Sequence, residues 1–136
     1  MTQTRRRAPR VTIDQFHLAD LESLAEGAMN RAPQVADRLF EELGRAKIVK
    51  SGKLPSDVVT IGNTVTYRDE TTGAERTVTL VYPQDADISQ NRVSVVTPIG
   101  VALLGLSEGA SFSWEARNDV THQLTILKVV PGTDSD

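Results

Sequence analysis

A chain of 136 residues suffices for one ordinary domain, or for a small domain with an appendage. Its 39% hydrophobic and 24% charged residues, with a formal net charge of −3, are those of a globular chain and argue against a disordered protein or one with broad affinity for nucleic acid. The absence of cysteine excludes disulfides and thiolate chemistry; no apolar run approaches the roughly 18 residues of a membrane span, and the basic start leads into Val11-Thr12-Ile13-Asp14 and not a signal core, so a cytoplasmic protein without a membrane partner is expected.

Residues 1–10, with Arg5-Arg6-Arg7 and Arg10, lack periodicity and read as a mobile, solvated basic tail; 131–136, ending in Asp134 and Asp136, read as a second tail. Thr12 with Gln15 makes a capping box, and Val11 with Phe16 fits a hydrophobic staple, which predicts that a helix starts at Thr12. Leu18, Leu21, Ala25 and Ala28 keep a three-four spacing widened by Leu24, while Asp20, Glu22 and Glu26 face away. The pattern weakens over Gly27–Arg31, and Pro33, tolerated in a first turn, opens a second helix. There Ala32, Ala36, Leu39, Leu43 and Ala46 repeat, with Val35 and Phe40 beside them and Asp37, Glu41 and Glu42 outside. Two seams of about 15 residues, roughly 22 Å each, are marginal alone and predict a short antiparallel coiled-coil hairpin over 11–50.

Lys50–Pro55 is a linker punctuated by Gly52 and Pro55, and beyond it the period becomes two. Val65 and Tyr67; Val78, Leu80 and Tyr82; Val93 and Val95; Phe112, Trp114 and Ala116; and Leu124 and Ile126 each line one face of a strand. Asp69–Gly73 and Arg117-Asn118-Asp119 are turns, and Pro83–Gln90 is a longer connection. Between strands, Thr97 suits an N-cap, Pro98 a first helical position and Gly105 a left-handed C-cap, which predicts a short helix over Pro98–Leu104. The order predicts an α+β domain over 54–130 with a twisted, mainly antiparallel sheet and one short helix. Since each part has its own apolar face, a fragment starting at Leu54 is expected to fold alone.

Chemistry-bearing patterns are scarce. His17 and His122 sit in different parts of the chain, and neither belongs to a paired-histidine or nucleophile signature. Gly105-Leu106-Ser107-Glu108-Gly109 follows a helix and is not succeeded by a Lys-Ser or Lys-Thr pair, so it reads as a cap and a turn, not a phosphate loop. No catalytic, metal or cofactor residues are expected.

The stretch Arg92–Trp114, with Arg76–Pro83 before it, resembles the C-terminal domain of the bacterial Gre transcript-cleavage factors, most closely the superfamily's short Rnk branch. The resemblance rests on Pro98-Ile99-Gly100, Ala102-Leu103-Leu104-Gly105 and Glu108-Gly109, and extends upstream through Asp57-Val58-Val59-Thr60 and Leu39–Val49. It implies an FKBP-like fold for 54–130 and a non-enzymatic regulator that binds RNA polymerase near the secondary channel, meeting nucleic acid through polymerase alone. The candidate partner-binding residues are Pro98, Ile99, Gly100, Gly105, Glu108 and Gly109, with Asn30 and Arg31 at the hairpin tip. Long Gre factors carry a carboxylate pair at that tip; Gly27–Pro33 has none, so transcript-cleavage stimulation is not implied. The Rnk resemblance implies a second role, regulation of nucleoside diphosphate kinase directly or through expression. Prolyl isomerisation is not implied, since aromatics make up 4% of the chain and Tyr67, Tyr82, Phe112 and Trp114 suit core positions. Ala110 and Arg117–Val120 depart from the family's turns.

Overall fold

The computed structural model describes residues 10–115 and 121–132. The expected basic tail (but for Arg10), Ala116, the Arg117–Asp119 turn and most of the second tail lie outside them. The helical part begins differently from its capping signal. Thr12–Asp14 is a strand, β1, followed by α1 (Gln15–Ala28), α2 (Pro33–Arg45) and a second strand, β2 (Lys47–Val49), which pairs with β1 in parallel. Both strand segments belong to the stretch expected to be helical throughout. Pairing overrides the local signal: the Thr12 N–H donates to the Gly105 carbonyl at 3.0 Å, Lys47 N–H to the Val11 carbonyl at 2.8 Å, and Val11 and Ile13 are both buried. The N-cap is therefore Asp14, whose Oδ1 accepts from the Phe16 N–H at 2.8 Å. Phe16 is no staple, because its side chain is 71% exposed.

The two helical seams fall as their spacing requires. Leu21, Ala25 and Ala28 of α1 and Ala36, Leu39 and Leu43 of α2 are buried, Leu18 and Leu24 half-buried, and the helices pack together across the turn at residues 29–32. Glu42 is a correction, since it is 6% exposed and not on the outer face. Its Oε1 lacks an aligned hydrogen bond among the described residues but lies 2.8 Å from Nη2 of Arg45, one turn on and itself a third exposed. A buried carboxylate left without its counter-charge is costly. Arg45→Ala is therefore expected to lower stability by about 1–3 kcal/mol, discounted for the exposure of the arginine, and Glu42→Gln by clearly less. Urea denaturation of both variants checks the order; equal costs would mean that Arg45 does not hold the carboxylate.

The period-two stretches form one five-stranded sheet of β3 (Thr64–Asp69), β4 (Glu75–Val81), β5 (Arg92–Ser94), β6 (Ser111–Glu115) and β7 (Thr121–Val130), in the order β5-β4-β3-β7-β6. β5 joins β4 in parallel, and the other neighbours are antiparallel. Register keeps the faces apart, with Val65 opposite Val78 on the buried side and Thr64–Thr79 and Thr66–Thr77 hydroxyl pairs at 3.0 and 2.9 Å on the other. A further helix, α3 (Pro98–Leu103), contributes Val101, Ala102 and Leu103 to the core. Leu21, Ala25, Leu39 and Leu43 of the helices belong to the same buried cluster as Val59, Val65, Leu80, Leu103 and Ile126. The helical and sheet parts therefore share one core.

Candidate interaction surface

The segment from Ser94 to Gly109 is built by its own side chains. Thr97 caps α3 by accepting from the Gly100 N–H at 3.1 Å, and its hydroxyl donates to the Ser94 carbonyl at 2.8 Å. Pro98, exposed, occupies the first turn, where its missing N–H costs nothing. Gly100 has no room for a side chain: a Cβ there would lie 2.2 Å from the Ser94 carbonyl oxygen and 2.8 Å from Val95 Cα. Gly105 ends the helix at φ +81°, and its Cβ would fall 2.4 Å from Val11 Cγ1. Its N–H donates to Val59 at 2.9 Å while its carbonyl accepts from Thr12, so one glycine ties both parts of the chain together.

Glu108 also has a structural partner. β6 begins at Ser111 opposite Thr125, and beyond that point Val129 of β7 gives its N–H to Glu108 Oε2 at 2.8 Å. Of the six candidate residues in this segment, Gly100, Gly105 and Glu108, and by its left-handed backbone at φ +87° Gly109, thus have positions explained by the fold. Pro98, Glu108 and Gly109 are exposed and Ile99 half-buried. Asn30 and Arg31 lie in the exposed α1–α2 turn beside Met29, which is 53% exposed. Their side chains make no hydrogen bond or ion pair with the six, among the described residues. Glu26 and Asp37, the acids nearest the turn, are exposed.

A second surface feature was not legible in the sequence because it joins residues far apart in the chain. The Phe16 ring meets His17 edge-on at 5.2 Å between centroids, and His17 meets Tyr82 edge-on at 6.1 Å. The Tyr82 hydroxyl donates to Asp20 Oδ2 at 3.4 Å, which leaves its oxygen to accept from His17 Nδ1 at 3.0 Å. Burial, and then the Asp20 carboxylate, push the Tyr82 phenol up to about 12, so it stays protonated. Burial lowers the His17 pKa from its ordinary 6.5 against the opposing pull of Asp14 and Asp20. The unfolded chain therefore binds this proton more tightly than the folded one. The stability that neutral His17 contributes is present above 6.5 and declines as pH falls through that value toward the lower folded pKa. His17→Gln should flatten this part of the profile, measured by urea denaturation on either side of that pH; an unchanged profile would show that His17 does not titrate in folding.

Among the described residues no group of histidine, aspartate and glutamate side chains is placed to hold a metal ion, and no helix is long and apolar enough to cross a membrane. Arg38 of α2 stacks its guanidinium over the Phe112 ring at 5.2 Å, joining α2 to β6. The His122 and Trp114 side chains lie outside the described set.

Comparison with known proteins gives a consistent result. Residues 54–131 match the family model "Transcription elongation factor, GreA/GreB, C-term", and residues 9–49 match "Rnk N-terminus". The "Regulator of nucleoside diphosphate kinase" of Escherichia coli (strain K12) is 35% identical over 121 residues, 89% of this chain and 89% of that protein. "Transcription elongation factor GreA" of Brucella anthropi is 36% identical over 96 residues, covering 70% of this chain and 57% of that one. The solved structure "Prokaryotic transcription elongation factor GreA/GreB from Nitrosomonas europaea" superposes with a TM-score of 0.69 at 34% identity, covering 90% of this chain and 98% of the other.

Proposed function

The chain belongs to the GreA/GreB transcription elongation factor family, in its Rnk branch, and on that premise we propose that it is a non-enzymatic cytoplasmic regulator that docks on RNA polymerase near the secondary channel without stimulating transcript cleavage. In this reading residues 54–130 form an FKBP-like anchor, and the two helices within 11–50 form a short coiled-coil probe that regulates by occupancy. The observation that carries it is the pairing of a Gre-type C-terminal match over 54–131 with a helical turn of Met29, Asn30, Arg31 and Ala32. That turn presents no carboxylate to hold a metal ion. A helix of 14 residues is about 21 Å long, which limits how far the turn reaches from the anchor. Pro98, Ile99 and Gly109 of the α3 segment and Asn30, Arg31 and Met29 of the turn are the residues we assign to the contact. Gly100, Gly105 and Glu108 act by holding that segment in shape.

The match of 9–49 to the Rnk N-terminus favours a second reading, regulation of nucleoside diphosphate kinase directly or through expression. Affinity purification of the tagged full chain from lysate of its own host separates the two. Polymerase subunits in the eluate support the first reading; the kinase without polymerase supports the second.

A further inference from the structure

The chain closes its five-stranded sheet on one side and leaves it open on the other. Asn91 and Val95 each hydrogen-bond to β4 at 2.8 Å, so Arg92 and Ser94 of β5 turn their backbone groups outward. The Arg92 N–H donates to the Asp87 carbonyl at 2.9 Å and its carbonyl accepts from the Asp87 N–H at 3.0 Å, while the Ser94 carbonyl accepts from the Thr97 hydroxyl at 2.8 Å. Where β7 runs on past β6, the Val129 N–H is taken by Glu108 Oε2 at 2.8 Å. Closures of this kind keep a sheet from pairing with another chain.

β6 has none of them. The Ile126 N–H donates to the Ala110 carbonyl at 2.9 Å, and antiparallel alternation from that point bonds Phe112 to Leu124 and Trp114 to His122. The N–H and C=O groups of Ser111, Ser113 and Glu115 therefore point away from β7, out of the edge of the sheet, and meet no partner among the described residues. Ser111 and Ser113 are exposed. The strand contains no proline, lysine or register shift, the devices that ordinarily blunt an edge. It is a ready template for one more strand.

We propose that this edge pairs with β6 of a second copy of the chain, antiparallel about a two-fold axis at Ser113, so that the two sheets become one. The register selects the occupant. With Ser113 against Ser113, Ser111 falls opposite Glu115 and Glu115 opposite Ser111, and every outward N–H and C=O of these residues in both strands is paired. Moving the axis to a neighbouring residue leaves some of them unpaired, and moving it to Glu115 sets two glutamates opposite each other. The same register sets Phe112 opposite Trp114, an aromatic pair of the kind that favours adjacent strands. None of these residues belongs to the contact assigned above, so the inference stands apart from polymerase docking.

Five residues from each copy bury less than the roughly 1,200 Å² of a stable interface, so association is expected at about 0.1–1 mM. Sedimentation velocity of the full chain should show a reversible rise from monomer toward dimer over that range. Amide hydrogen exchange locates the contact: Ser111, Ser113 and Glu115 should gain protection with concentration, whereas Phe112 and Trp114, already bonded to β7, should gain none. Ser113→Lys places like charges opposite each other at the axis, and so does Ser113→Glu. Each should weaken association about fivefold while circular dichroism stays native. Mixing the two variants sets lysine opposite glutamate and should restore association to at least the original level. A chain that stays monomeric at about 1 mM, full association of either variant alone, a mixture of the folded variants that fails to associate, or protection confined to other strands would overturn the assignment.

Discussion

A fragment beginning at Leu54 should fail to unfold cooperatively, although its strands and α3 are all present. Val11, Ile13, Leu21, Ala25, Leu39 and Leu43, all lost in that fragment, lie in the same buried cluster as the sheet and α3. Each large aliphatic side chain fully buried there contributes about 1.5–3 kcal/mol, and single domains hold only about 5–15 kcal/mol in all. Removing the helices also removes the Thr12 N–H from the Gly105 carbonyl and uncovers the α3 face that packs on α2. The expected fragment keeps β-type far-ultraviolet dichroism, exposes apolar surface to dye and melts without a sharp transition. This reverses the expectation from the hydrophobic patterning, which sees two apolar faces but not that they face one another. A single sigmoidal urea transition for the fragment would restore separability.

Gly105→Ala should cost about 2–4 kcal/mol, because two penalties coincide at one residue. A left-handed backbone costs a non-glycine residue about 1–2 kcal/mol, and a Cβ 2.4 Å from Val11 Cγ1 must displace a buried side chain of β1's flank. Gly109→Ala is the control, with a similar φ of +87° but open space around its Cβ, so it should cost about 1–2 kcal/mol. The difference between the two variants in denaturant midpoint isolates the contact with Val11. Equal losses would mean that the N-terminal strand yields freely, and that Gly105 matters for its backbone angle alone.

What the sequence made legible follows from which forces are local. Thr97, Pro98 and Gly105 mark α3 by chemistry within ten residues of one another, and the structure places its cap, first turn and left-handed end on those residues. Period-two burial at Val65, Tyr67, Val78, Leu80, Leu124 and Ile126 is likewise a property of each strand alone. The misreadings share a cause. Thr12–Gln15 satisfies a capping template, but Thr12 has a better use for its N–H ninety-odd residues away along the chain, at the Gly105 carbonyl. Glu42 looks like an outer-face acid until Arg45 and the packing of α2 enclose it. The same holds for the Phe16–His17–Tyr82 row, which exists only after the fold brings its residues together. As for the surface residues proposed for docking, the structure gives four of the six in the α3 segment, Gly100, Gly105, Glu108 and Gly109, a structural reason to be what they are. Pattern alone did not divide holding residues from touching ones.

The central proposal, docking on polymerase without cleavage, is tested most directly by a transcript-cleavage assay on backtracked elongation complexes. The full chain is added in increasing amounts with and without a long Gre factor. The account predicts no cleavage above background from the chain alone and a progressive loss of the Gre factor's stimulation as the two compete. Stimulation by the chain alone, or undiminished Gre-dependent cleavage at saturating chain, would contradict it.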